Sequence, residues 1–242
     1  MKEYMALNAG AVSIIGSSNT ADYAIRSQIS GTNNILKGQA SSVSTFNTVS
    51  GYGNEGTNIS RSTIVGTRND LKNGEDNVVI GDFHNFDGGK HNVVLGSMAA
   101  EEQDVTKSFT NSSGSSTYTY TVKELVATRR NTANVENAVM LGYNTDVTRN
   151  GGVALGSESI ASVDKGIAGY DPTTKAASTD GSPTWKSTAA AISVGDSTGT
   201  TVLTRQITNV AAGSEDTDAV NVAQLKRITA DSTSTINNQL TQ

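Results

Sequence analysis

Ile64-Val65-Gly66, Val79-Ile80-Gly81 and Val94-Leu95-Gly96 are apolar pairs closed by a glycine, each set fifteen residues after the last. Ile14-Ile15-Gly16, Met140-Leu141-Gly142 and Ala154-Leu155-Gly156 repeat the pattern, and Ile29-Ser30-Gly31 and Val49-Ser50-Gly51 are degenerate copies. The glycines at 16, 31, 51, 66, 81 and 96 step by 15, 20, 15, 15 and 15 residues, and Gly142 to Gly156 by 14. A recurring period outranks any local propensity in reading a fold. One near fifteen suits two short strands and two turns, too long for hexapeptide β-helices and too short for leucine-rich or ankyrin units. The strands are β-branched and about four residues long, too short for ordinary helices. Asn19, Asn34, Asn54 and Asn69 each stand three residues after a repeat glycine, where a turn with left-handed backbone is expected.

The apolar pattern also bears on assembly. Ile15, Val65, Ile80, Leu95, Leu141 and Leu155 precede the glycine, and Val78, Val93, Val139 and Val153 lie two residues earlier on the same strand face. The residue between, as in Ile14, Ile29, Val49, Ile64, Val79, Val94 and Met140, points the other way. Strands apolar on both faces need cover on both. One face fills the interior; the other, assigned here to Val79, Val94 and Met140, needs a partner. No helical segment in this half supplies a second layer, which leaves another copy of the chain.

Between Gly96 and Gly142 the step is 46 residues, so about 31 are inserted. Thr117-Tyr118-Thr119-Tyr120-Thr121-Val122 alternates as a half-exposed strand does, after Val105-Thr106-Lys107-Ser108-Phe109-Thr110 and the turn formers at 111–116. The expectation is a β-hairpin projecting from the stack within 97–134. Phe109, Tyr118 and Tyr120, with Arg129 and Arg130 near the return, are residue types that anchor interfaces. Two readings stay open: they meet a receptor, or they pack the hairpin onto its own oligomer. Farther on come an irregular stretch from Gly169-Tyr170-Asp171-Pro172 to Trp185, a strand at 191–195, and a helix beginning near Asp218 with Thr217 or Asp218 as its cap. Steps of three and four then place Val222, Leu225, Thr229, Ser232, Ile236 and Gln239 on one helical stripe, a polar coiled-coil seam.

Composition narrows the function classes. In 242 residues the net charge is −5 with no basic block, which argues against nucleic acid. Absence of Cys removes disulfides, cysteine nucleophiles and thiolate metal sites. No run of about 20 apolar residues spans a membrane, and Met1-Lys2-Glu3-Tyr4 lacks a signal core, so the signal and anchor of an exported protein are expected outside this chain. Gly51-Tyr52-Gly53-Asn54-Glu55-Gly56 matches the dinucleotide fingerprint in letters, but no helix follows to hold a pyrophosphate. His84 and His91 read as solvated turn residues. Asn111-Ser112-Ser113 is a formal glycosylation sequon and by itself assigns no function. No catalytic residue, cofactor or metal site is expected.

Arg205-Gln206-Ile207-Thr208-Asn209-Val210-Ala211-Ala212-Gly213, followed by 217–225 (Thr217 to Leu225), closely resembles the neck of trimeric autotransporter adhesins. The repeats resemble the YadA-like head of that family, and the stretch to Trp185 resembles a connector found before such necks. The resemblance implies a mainly β chain whose head is a trimeric left-handed parallel β-roll, a solenoid. It assigns 1–162 to the head with its 97–134 insertion, 163–204 to a connector, 205–224 to the neck and 225–242 to the start of a coiled-coil stalk. It further implies a homotrimer held partly by Ile207, Val210, Val222 and Leu225, at the outer membrane of a Gram-negative cell. The partners it implies are extracellular-matrix proteins or host cell-surface receptors, immunoglobulin-like adhesion receptors among them. The hairpin and the polar Ser30 and Ser50 depart from the basic head pattern. A non-binding spacer is the alternative, and a trimeric tailspike-like glycan hydrolase a more distant one, since paired carboxylates in register are lacking.

Overall fold

The computed structural model describes residues 4–112, 114 and 116–240. Ser113 and Ser115 of the expected turn, and the side chain of Gln239 on the expected seam, lie outside the described residues. The chain is mainly β with one C-terminal helix, Val222–Leu240, and divides into two compact units. One comprises 1–164 with 189–203, the other 165–188 with 204–242.

In the first unit each repeat contributes a strand to a nine-stranded parallel sheet and, through residue 87, another to a six-stranded parallel sheet. The repeat strands stack in register, Thr63↔Val78 and then Val78↔Val93, one fifteen-residue step apart. A ladder of single parallel bridges, Thr45↔Ser60, Ser60↔Glu75 and Glu75↔Lys90, marks a further edge that the two-strand expectation did not contain. The twenty-residue step keeps Gly31 opposite Gly51, because its surplus is thrown out in a turn where Gln39 and Ser42 pair. After Gly156 the sheet gains one more strand, Ile192–Ser193, which pairs with Val153–Leu155.

The core corrects the assignment of faces. Val79, Val94 and Met140 are 0%, 1% and 0% exposed within a single chain, packed with Ile29, Val49 and Ile64 in its own interior. They do not face a partner. The outward row is the other one: Ile15, Ile80, Leu95 and Leu155 are 61%, 42%, 41% and 45% exposed, with Val93 and Ile192 beside them. In the degenerate repeats that outward row holds Ser30 and Ser50, whose hydroxyls bond each other at 2.8 Å.

The asparagines are also differently placed. Asn19, Asn34, Asn54 and Asn69 are buried, and the left-handed residue at each corner is the one before, Ser18, Asn33, Gly53 or Arg68. Each amide serves the rung on either side. Asn54 Nδ2 donates to Asn34 Oδ1 at 3.0 Å and to Gly66 O at 2.7 Å, while its Oδ1 accepts from Asn69 N and Nδ2. A second ladder runs through Asn47, Ser62, Asn77 and Asn92 to Ala138 N. A short amide carries both a donor and an acceptor, so it satisfies backbone groups that a tight corner strips from water. Asn54→Ala leaves the Asn69 N–H without its acceptor and three oxygens short of a donor. A loss of about 3 kcal/mol is expected, read as a lower thermal midpoint at fixed protein concentration.

Candidate interaction site on the hairpin

The insertion leaves the nine-stranded sheet after Val93–Leu95 and re-enters it at Val139–Leu141, which pair directly. It forms an antiparallel hairpin, Ala100–Thr110 with Thr117–Ala127, longer than the expected stretches 105–110 and 117–122. Phe109 lies opposite Tyr118 and Lys107 opposite Tyr120. By strand alternation these four share one face with Val105, Val122 and Glu124, and Ser108, Thr119 and Thr121 the other.

At its base the aromatic-bearing face lies over the repeats. Arg68 Nη1 sits 3.4 Å from Glu124 and donates to Leu125 O at 3.0 Å, and Lys107 pairs with the same carboxylate. The Lys107 ammonium, with Arg68, holds Glu124 below the usual carboxylate range against a smaller opposing effect of burial. Val105 and Val122 are half-buried. Farther out none of the described residues covers the stripe, and Phe109, Tyr118 and Tyr120 are 59%, 59% and 51% exposed. A small cleft under the base is lined by Arg68, Phe83, His84 and Leu125 among others.

The two arginines part company. Arg130 is exposed. Arg129 is spent on the next repeat: Nε donates to Asn144 Oδ1 at 3.2 Å, and Nη1 lies 3.3 Å from Asp146. It fixes the return of the insertion and is not available as a free anchor. Arg68, Lys107 and Glu124 were missed because Lys107 and Glu124 lie in different strands, Arg68 lies at a repeat corner, and no local spacing joins them.

His84 corrects another expectation. It is not a solvated turn residue but a buried rung of the first ladder, where Nε2 meets Gly96 O at 2.6 Å. Burial pushes its pKa below the ordinary imidazole value. His91 does keep an exposed turn position, 3.6 Å from Asp76. The glycines of the GxGxxG letters have separate structural uses. Gly51 stacks on Gly66, Gly53 takes φ +65°, and a Cβ on Gly56 would come within 2.6 Å of Ile59 Cδ1.

In the second unit the helix cap is Asn221, not Thr217 or Asp218. Gln224 N–H donates to Asn221 Oδ1 and Asn221 N–H to Gln224 Oε1, both at 3.1 Å, a reciprocal capping box. Asp218 instead gathers the N–H groups of Ser214 and Glu215, which lower its carboxyl below the usual range. Gln224 Nε2 also donates to Gly213 O, and Asn221 Nδ2 to Val210 O. These bonds set the neck backbone while Ile207, Val222 and Leu225 stay exposed, 72%, 66% and 57%.

Comparison with known proteins agrees with this arrangement. Residues 206–242 match the family model described as the coiled stalk of trimeric autotransporter adhesin. Autotransporter adhesin BadA of Bartonella henselae is 59% identical over 76 residues, 31% of this chain and 2% of that protein. Autotransporter adhesin EhaG of Escherichia coli O157:H7 is 40% identical over 97 residues, 38% of this chain and 6% of that protein. The matched stretches thus span only a small part of either relative. Such adhesins are outer-membrane or cell-surface proteins. On the stalk match over 206–242 and these two partial likenesses, the chain is similar to trimeric autotransporter adhesins.

Proposed function

We propose that this chain is a passenger segment that binds host extracellular-matrix proteins or cell-surface receptors as a homotrimer, with the hairpin carrying or adjusting that binding. The observation that carries the proposal is the hairpin itself, whose three aromatic side chains stand more than half exposed beyond the reach of the repeats. Exposed aromatics on a projecting element are suited to anchoring a partner. Phe109, Tyr118 and Tyr120 are the proposed contacts, with Arg130 near the return.

In this reading the repeats form a left-handed β-roll and three copies meet through the outward row of the nine-stranded sheet. Exposed apolar side chains recurring along one row of a sheet support a second copy as their cover. Ile207, Val210, Val222 and Leu225 close the same trimer at the neck and stalk. Three copies of each hairpin then turn weak single contacts into avidity.

The test replaces residues 101–132 by a short turn. The shortened protein is expected to remain trimeric by sedimentation and to lose host-receptor binding, by about tenfold or more if each hairpin contributes one anchor cluster. Unchanged affinity in an intact trimer rejects the hairpin's role, whereas an unshortened protein that binds no host cell favours a spacer.

A further inference from the structure

The hairpin strands pair through eleven consecutive positions, from Ala100↔Ala127 to Thr110↔Thr117, with no bulge. In an antiparallel ladder the opposed pairs alternate. One pair exchanges its backbone bonds, and the next turns its N–H and C=O groups outward. The phase is fixed here from both ends. Asn111 N–H donates to Ser116 O at 3.0 Å, and Thr128 N–H to Ala99 O at 2.8 Å. Counting inward from either, Phe109/Tyr118 and Lys107/Tyr120 are bonded pairs, while Ser108/Thr119 and Thr106/Thr121 are outward-turned. Leu125, in the outward phase, does present its C=O to Arg68. The hydroxyls of Thr110 and Thr117 meet at 3.0 Å, as suits the closer side chains of a non-bonded pair.

Thr117, Thr119 and Thr121 therefore carry outward N–H and C=O groups along the outer edge of the return strand. Folded proteins guard such edges with proline, charge, bulges or cover. From Thr117 to Val122 this edge has no proline, no charge and no bulge, and the Arg68 contact covers only Leu125. The outgoing strand differs, with Glu101, Glu102, Asp104 and Lys107 along it.

We infer that the outer edge at Thr117–Thr121 receives an extended, uncharged or basic segment of a host polypeptide as an added β-strand. The inference rests on the reading of the hairpin as a receptor-binding element and names its mode, main-chain pairing with side-chain selection. Alternate side chains of the added strand fall beside Tyr118 and Tyr120, and the others beside the threonine hydroxyls. A second copy of the chain is the poorer occupant. Each copy has net charge −5, and another hairpin brings its own Glu101, Glu102 and Asp104 toward this one.

The test uses the whole chain against immobilised fibronectin, laminin, collagen and the ectodomain of an immunoglobulin-like adhesion receptor. Thr119→Pro removes an outward N–H without touching a bond of the hairpin, since proline is tolerated where the N–H faces solvent. It is expected to weaken binding by about tenfold, the worth of one backbone bond with its local register, while Thr119→Ala and Ser108→Pro stay within about threefold. Amide exchange on the unsubstituted complex needs no variant and is expected to slow at Thr117, Thr119 and Thr121. A Thr119→Pro protein that binds at full strength overturns the inference, as does Thr119→Ala weakening binding equally. Binding to a probe with exchange unchanged overturns the edge alone and leaves receptor binding by the hairpin standing. Slowed exchange without any probe, growing with protein concentration, assigns the edge to a second copy and overturns the host segment. A chain that binds none of the four probes removes both readings.

Discussion

Gly81→Ala is expected to destabilise the repeat stack by about 3 kcal/mol or more, from backbone strain and overpacking together. Gly81 lies at φ +148°, and a Cβ built on it would stand 1.8 Å from Gly96 O and 2.5 Å from Gly96 C. The obstacle is the backbone of the next repeat, so no side-chain rotation relieves it. The same holds along the column, where Gly16 would meet Gly31 O at 1.9 Å and Gly51 would meet Gly66 O at 2.0 Å. A stack held by nearest-neighbour contacts transmits such damage to both adjoining repeats. Thermal midpoint at fixed protein concentration is the measurement, with Gly114→Ala as the comparison. Gly114 also has positive φ, +70°, but nothing lies within 4 Å of its Cβ position. It is expected to cost about 1 kcal/mol, confined to the hairpin tip. Equal effects of the two substitutions would show that strain at positive φ, not the close approach of repeats, selects glycine in the column.

The period and the glycine column were legible because both follow from chain geometry alone. Which row faces inward was not, since alternation separates two faces without saying which is inside. Both rows are apolar in the later repeats, so hydrophobicity there does not choose between them. The degenerate repeats held the answer: Ile29 and Val49 stay apolar where their neighbours become Ser30 and Ser50. A position apolar in every repeat is the interior one, and an outward position tolerates serine. The asparagine ladders were hidden for a related reason. A polar residue at a turn suggests solvent, and only the stacking of rungs shows that Asn34, Asn54 and His84 are buried with their partners in neighbouring repeats. In the hairpin, the aromatic residues could be read from their alternation. The Arg68 clamp and the commitment of Arg129 could not, because each joins residues far apart in the chain.

The corrected faces make the second large prediction. Ile80→Lys with Leu95→Lys is expected to convert a trimer to a monomer without unfolding the repeats. Both side chains are over two-fifths exposed in one chain, so the lysine stems meet no clash and their ammonium groups reach water in the monomer. In a trimer closed through this row, the same groups meet their counterparts across the interface. Six ammonium groups would then be desolvated without partners, at a cost of several kcal/mol each. Val94→Lys should do the opposite damage. Val94 is 1% exposed between Val79 and Met140 in the interior, and a buried unpaired lysine there breaks the stack itself. Sedimentation separates the two outcomes by mass, and circular dichroism by retained or lost β signal. The outward row is the interface if the double variant sediments at one third of the parent mass with its β signal intact. A double variant that stays trimeric would show that the neck and stalk hold the copies together without this row, whereas a folded, monomeric Val94→Lys protein would restore the interior row to the partner.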